Sequence, residues 1–267
     1  MECEAKTVLA IGAHPDDIEF MMAGTLILLG KAGWDMHYMN IGNGSCGTAD
    51  KSIEDIAAKR TEESKEACGL IGAVYHESIC NDLEIYHTTK IVSRVVSVVR
   101  TVRPAVILTS SPQDYMEDHI NASRIAVTAA FARGMLNYPC EPCVEPVSCD
   151  TAVYHALPYG LKTPLRKTVR AGQYVDISSV IDTKLKMLAC HSSQKEWLDT
   201  SQGMNAYLNT MDAFSREAGR MSGQFECAEG WRRRLHLGFS AQEQDPISAV
   251  LGNRCFTDPE YEKSLDT

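Results

Sequence analysis

The chain has 267 residues, 44% of them hydrophobic and 23% charged, a soluble globular composition that excludes disorder over most of its length and suits a single α/β domain with appendages. Its 26 Lys and Arg against 35 Asp and Glu give a net charge of −9, the opposite of the balance in a nucleic-acid binder; the one dense basic run, Arg232-Arg233-Arg234, is too short for that role. No apolar run reaches the ~18 residues that span a bilayer, and Met1-Glu2-Cys3-Glu4 is acidic where a secretory signal is basic, so a cytoplasmic protein with no membrane or nucleic-acid partner is expected.

Thr7 to Gly12 is a short apolar run that predicts a buried strand. Ile18 to Leu29 is apolar and long enough for a helix, with Pro15 at its opening, and Asp35 to Ile41 is a second strand. Residues 42–51 are rich in Gly, Ser and Asp and form a loop. Ser52 to Ile71 is a charged amphipathic helix with Ser52 as N-cap and Asp55 three residues on; Gly72 stops it. Ala73 to His76 is a third strand. Ile91, Val92, Val95, Val96 and Val99 recur at helical spacing until Pro104 ends the element.

Ala105 to Thr109 is the next buried strand, followed by a polar loop to Asp118 and a helix over Ile120 to Arg133. Strands alternating with helices mean βαβ units and a parallel sheet. The Pro-rich stretch 134–150 interrupts the alternation, and its Cys140-x-x-Cys143 with Cys149 lacks the second pair of a zinc ribbon. Most of the ten cysteines are expected as reduced core thiols. Ala152 to Ala156 and Tyr174 to Ile177 are further strands, and Ile181 to His191 and Ala206 to Met221 further helices. The fold class expected is α/β, a Rossmann-like, mostly parallel sheet with helices on both faces and a C-terminal cap. One domain spans 1–267, with a core at about 5–135 and capping elements at about 136–267.

Open parallel sheets bind ligands beyond the carboxyl ends of their strands, where strand order reverses. The segments brought together there are Ala13-His14-Pro15-Asp16-Asp17-Ile18-Glu19 and Asp114-Tyr115-Met116-Glu117-Asp118-His119. His14 and Asp17, three apart, share one side of a first helical turn, and His119 comes from across the crevice. Two imidazoles and a carboxylate are the donors of a catalytic zinc site with an open position for water. Asp16 lies between the ligands, where a carboxylate can take a proton as general base; Asp118 can orient a ring nitrogen from behind. The same Asp residues also suit a helix dipole, and His119 a solvated helix start, so spacing leaves both readings open.

The first motif, continuing into Ala23-Gly24-Thr25, resembles the signature of the PIG-L/LmbE-like family of zinc-dependent N-deacetylases. Arg60-Thr61-Glu62-Glu63 leading into Ala67-x-x-Leu70-Ile71-Gly72, Asp118-His119, His191-Ser192-Ser193-Gln194 and Ala228-Glu229-Gly230-Trp231 resemble its later segments, so the likeness runs from residue 7 to about 239. It implies Zn²⁺, or another divalent metal, held by His14, Asp17 and His119. It also implies Asp16 as general base and Arg60 as a substrate contact; Glu229 and His191, in the later segments, are further candidate substrate contacts, against a surface Glu beside a core Trp and a histidine at a helix C-terminus as the plainer readings. The implied reaction is hydrolysis of an acetamide on a small N-acetylated amino sugar or conjugate; a homo-oligomer is compatible with it.

One position departs from the pattern. The family's second motif usually reads His-Pro-Asp-His, and here it is Met116-Glu117-Asp118-His119. Methionine neither stabilises an oxyanion nor donates a proton, and losing such a group costs ~100- to 1000-fold in rate unless another replaces it. Tyr115, His155, His191 and His236 are the candidates. An amidase of a different acyl, thiol or glycoside conjugate, or a binding protein with a low-activity site, are the alternatives this departure keeps open. Gly42-x-Gly44-x-x-Gly47 follows the second strand without opening a helix, so it reads as an active-site loop and not as a dinucleotide site. Ser110 and Ser111 lack a nucleophile elbow. The loop 157–167, with Lys162, Arg166 and Lys167, is a candidate cover for an anionic substrate.

Overall fold

The computed structural model describes residues 6–194 and 206–265. Its centre is strand β1 (Thr7–Gly12), six residues buried along their whole length. Val8, Leu9, Ala10 and Ile11 are completely covered because side chains on both faces meet packed helices; each such large aliphatic group contributes ~1.5–3 kcal/mol. Parallel pairing places β1 between β2 (Asp35–Asn40) and β4 (Val106–Thr109), with β3 (Val74–His76) outside β2 and β5 (Ala152–Ala156) outside β4. Strand order therefore reverses between β1 and β4, where a Rossmann-like sheet opens its crevice.

The sheet continues antiparallel through β7 (Ala228–Arg233), β6 (Gln173–Asp176) and β8 (Cys255–Thr257), giving the order β3-β2-β1-β4-β5-β7-β6-β8. One face carries α4 (Thr89–Val102) and α5 (Glu117–Ala132), whose apolar sides pack on Leu9, Ile11 and Ile107. The other face carries α1 (Asp17–Met21) and α2 (Ala23–Lys31), with α6 (Ile181–Ala189) and Trp231 sharing their core. The expected mostly parallel α/β sheet with helices on both faces is what the chain forms.

Helix α3 (Ile53–Leu70) starts as its sequence signals, the Ser52 hydroxyl accepting from the Asp55 amide. Gly72, at φ 69°, turns the chain after it. Helix α7 (Ala206–Ser222) matches its periodicity. Strand β7, the short helices α8 (Pro246–Leu251) and α9 (Pro259–Ser264), and β8 are additions to the expected elements. Cys46, Cys68, Cys80, Cys140, Cys143, Cys149, Cys190, Cys227 and Cys255 are free thiols. No helix among the described residues is long and apolar enough to cross a membrane.

Three local expectations need correction. The apolar run 18–29 is not one helix: it breaks at Met22 (φ −137°, ψ −23°). The cause is Glu229 on β7, whose carboxylate accepts from the Gly24 and Thr25 amides at 2.8 and 2.7 Å and makes a fresh N-terminus. Pro15 does not open a helix either; α1 begins at Asp17, after Asp16 in the left-handed region at φ 108°. Helix α5 begins at Glu117, so Asp118 and His119 lie in its first turn and not in the preceding loop.

Candidate active site

The turns after β1 and β4 meet over the switch point. Asp17 folds back on its own turn, Oδ2 accepting from the amides of Ala13 at 3.0 Å and His14 at 2.8 Å. That leaves Oδ1 facing His119 Nε2, 3.3 Å away on the first turn of α5. His14 Nδ1 lies 3.7 Å from Asp17 Oδ2. One donor atom each from His14, Asp17 and His119 falls within 4.8 Å of the other two, and both imidazoles are more than nine-tenths buried. Residues 14, 17 and 119 thus lie together over the switch point.

Each ring is fixed from behind by a carboxylate. His14 Nε2 is 2.8 Å from Asp118 Oδ2, which also accepts from the Leu83 amide at 2.7 Å. His119 Nδ1 is 2.9 Å from Asp114 Oδ1, and the other oxygen of Asp114 accepts from the Tyr159 amide. Carboxylates on the far nitrogens are how metal-ligating histidines are oriented, and they aim the remaining nitrogens at Asp17. Two neutral imidazoles and one carboxylate fit a divalent cation with an open coordination position.

The charges of these groups are interlocked in a knot. Burial disfavours the imidazolium of His119, yet the Asp17 and Asp114 carboxylates outweigh it and hold the pKa well above the ordinary value. For His14 burial is again opposed, here by Asp118 and Asp17, and the pKa ends raised. Burial pushes Asp17 up, but His119 and His14 win and leave it strongly lowered. A bound cation replaces this proton logic with its own charge.

Asp16 stands beside the knot. Its Oδ2 accepts from the Tyr207 hydroxyl at 2.7 Å and lies 3.6 Å from Arg60 Nη2. Burial raises its pKa more than Arg60 lowers it, the direction that suits a base working near neutral pH. Its left-handed φ costs ~1–3 kcal/mol, and the turn is held by Arg60, whose Nη2 donates to the Pro15 carbonyl at 2.5 Å. The Gly loop makes room for this guanidinium: a Cβ at Gly44 would sit 2.4 Å from Arg60 Cδ, and one at Gly47 2.5 Å from Arg60 Nη1.

These groups floor a cleft of about 570 Å³ with an aromatic wall of Phe20, Tyr115, Tyr159 and Tyr207. Met116 and Leu83 form its apolar edge, and Asp82, Cys46 and Gln194 also face it. Of the four candidates to stand in for the family histidine, Tyr115 alone lines this cleft. Burial raises the Tyr115 and Tyr159 phenols, the latter to about 12, so both stay protonated donors at neutral pH.

Two candidate substrate contacts lie elsewhere. Glu229 is buried, with Lys184 Nζ 2.7 Å from its Oε1 in addition to the α2 amides, and it does not reach the cleft. His191 is fully buried, 3.5 Å from Glu19 Oε1, and is likewise absent from the cleft wall. Lys162, Arg166 and Lys167 are exposed and away from it; their loop contributes Tyr159 instead. Asp114, Asp82 and Tyr207 were not singled out from sequence. Asp114 had a signal, five residues before His119 in the same segment; Tyr207 had none, because it arrives from a helix 191 residues beyond Asp16.

Fold and site together define a Rossmann-like α/β protein with a His-Asp-His constellation suited to a divalent cation. Residues 9–130 match the family model PIG-L, GlcNAc-PI de-N-acetylase. It is 29% identical over 238 residues to diacetylchitobiose deacetylase of Thermococcus kodakarensis, covering 86% of this chain and 83% of the relative. It is 26% identical to 4-oxalmesaconate hydratase of Pseudomonas putida, covering 73% of this chain and 76% of the relative. The structure of N,N'-diacetylchitobiose deacetylase from Pyrococcus horikoshii superposes with a TM-score of 0.73 at 21% identity, over 92% of this chain and 89% of that one; at that identity the likeness is one of fold.

Proposed function

We propose that this protein is a metal-dependent hydrolase that removes an N-acetyl group from an amino sugar or amino-sugar conjugate. The observation that carries the reading is the pair of imidazoles, each braced by its own carboxylate, aimed at Asp17 beside an Asp16 held in a left-handed turn. Deacetylase relatives support it. His14, Asp17 and His119 would hold Zn²⁺ or another divalent ion, which when bound supplies Lewis-acid polarisation of a carbonyl and a water of lowered pKa.

Asp16 takes a proton from the attacking water and returns it to the departing amine, so acetate and a free amine leave. Tyr207 and Arg60 keep its carboxylate turned toward the reacting centre. Asp118 and Asp114 keep the two imidazoles in the tautomers that bind a cation. The Tyr115 phenol is the donor available for charge developing on the carbonyl oxygen in place of the missing histidine. The aromatic wall offers flat apolar surface to the faces of a sugar ring. Met116 favours a second reading, an amidase of a different acyl or thiol/glycoside conjugate at the same site.

The test is metal content together with acetate release from diacetylchitobiose and from substrates with bulkier acyl groups. One divalent ion per chain is expected, with acetate release falling ~10²- to 10⁴-fold in Asp16→Asn while metal stays bound. A protein that binds no divalent ion at stoichiometry refutes the hydrolase; turnover of bulky acyl groups in preference to acetyl selects the second reading.

A further inference from the structure

A second cleft, of about 400 Å³, opens on the far side of the 110–114 loop from the proposed catalytic centre. His155 on β5 and Arg232 on β7 face each other directly in the antiparallel register, and both line this cleft together with Arg234 and Phe239. His155 is only 4% exposed. Its Nδ1 lies 3.1 Å from the Ser110 carbonyl, an oxygen that can only accept, and 3.0 Å from the Ser123 hydroxyl, which can accept from the same N–H; a bare Nδ1 would face the carbonyl lone pairs, so Nδ1 carries the proton and Nε2 keeps a bare lone pair. That Nε2 is buried with no hydrogen-bond partner among the described residues, and so is Nε of Arg232.

The unmet groups are complementary. Nε2 of a neutral imidazole needs a donor, and the Arg232 Nε–H needs an acceptor. Burial, with backbone bonding opposing it, takes the His155 pKa down to about 4, so the ring is neutral at physiological pH.

The charge is also unanswered. Arg232 spends its two terminal nitrogens on neutral groups, Gln113 Oε1 at 2.8 Å and Ser111 Oγ at 3.1 Å. Arg234 stacks its guanidinium 5.7 Å from the Phe239 ring centre. Neither has a carboxylate within 4.0 Å among the described residues, whereas the neighbouring Arg233 is paired with Glu243 and Asp245. Burial lowers the Arg232 pKa, the mark of a cation without a nearby counter-ion. A half-buried guanidinium left this way is costly unless an anion completes it.

We propose that this cleft binds inorganic phosphate as the hydrogen phosphate dianion. Its P–OH donates to His155 Nε2, one oxygen accepts from Arg232 Nε, and the remaining charge faces Arg234. Water meets the first two demands but not the charge. Sulfate meets the charge but has no proton to give, and the dianion of methyl phosphate has none either. The site therefore ranks three oxyanions of similar size by one proton.

The experiment follows the His155 imidazole nitrogen resonances of the full-length, metal-loaded protein at about pH 8, where phosphate monoesters are dianions, while each anion is titrated in. Inorganic phosphate is expected to move the Nε2 signal saturably and to bind at least tenfold more tightly than sulfate or methyl phosphate. Arg234→Gln, an exposed and readily tolerated change, is expected to weaken phosphate about tenfold, and His155→Gln to remove the preference over sulfate. The resonance reports His155 itself, so phosphate captured by a cation in the first cleft leaves it unmoved. An unmoved signal, equal affinities for the three anions, or an Arg234→Gln protein that binds phosphate as the parent does overturns the assignment.

Discussion

The two carboxylates behind the histidines make the same substitution a sharp test of the site. Asp118 uses a single oxygen: Oδ2 takes both the His14 ring and the Leu83 amide, at 2.8 and 2.7 Å. Asparagine can place its carbonyl oxygen there and keep both bonds, losing only the charge. Asp114 uses both oxygens, Oδ1 for His119 at 2.9 Å and the Met116 amide at 3.2 Å, and Oδ2 for the Tyr159 amide at 2.9 Å. All of those partners are donors when His119 presents Nε2 to a cation. Asparagine there must turn its NH₂ toward one of them, so a bond is lost, a donor faces a donor and the ring loosens. Removing such orienting groups costs ~10- to 100-fold in metal affinity. Asp118→Asn is expected at the low end, about tenfold or ~1.4 kcal/mol, and Asp114→Asn near 100-fold or ~2.7 kcal/mol. Competition against a chelating dye measures both in one titration series. Equal losses, or a larger loss for Asp118→Asn, would refute the claim that the bracing geometry, and not the charge alone, sets metal affinity.

Other perturbations follow from the same contacts. Chelation is expected to abolish acetate release, with Zn²⁺ restoring it; activity that persists in fully stripped protein contradicts the proposed site. Gly44→Ala sets a Cβ against Arg60 at a residue with φ 81°, so ~2 kcal/mol of destabilisation is expected, read as a melting temperature lower by roughly 5 °C. Tyr207→Phe removes the hydroxyl bond to Asp16, and it should lower kcat with little change in metal content. His155 titrates near 6.5 when unfolded and at about 4 when folded. The unfolded chain therefore binds the extra proton between those values, and stability is lost as pH falls through that window. From pH 7 to pH 5 this one group accounts for ~2 kcal/mol, which denaturant unfolding of the parent against His155→Gln isolates as a difference in slope.

The parts of the molecule legible in the sequence are those where cause and effect are neighbours along the chain. Thr7–Gly12 is apolar on both faces, and Ser52 with Asp55 builds its cap within one turn. His14 and Asp17 meet because Asp17 folds onto its own turn. His119 could be paired with them because strand reversal at β1 and β4 is a property of the fold class, not of these residues. What escaped was long-range: the helix over 18–29 has no local breaker. It is cut by Glu229, 205 residues from Gly24, whose buried charge is balanced by Lys184. The same fact makes Glu229 a helix anchor, buried and absent from the cleft wall, with its carboxylate engaged by two amides and an ammonium. Tyr207 reaches Asp16 in the same way, from a distant helix that only the folded chain brings near. The first motif therefore carries two of the proposed cation ligands, His14 and Asp17, and the proposed base Asp16 within one turn. The groups that aim and tune them are spread along the chain, and they are where this protein can differ in substrate from the proteins it resembles.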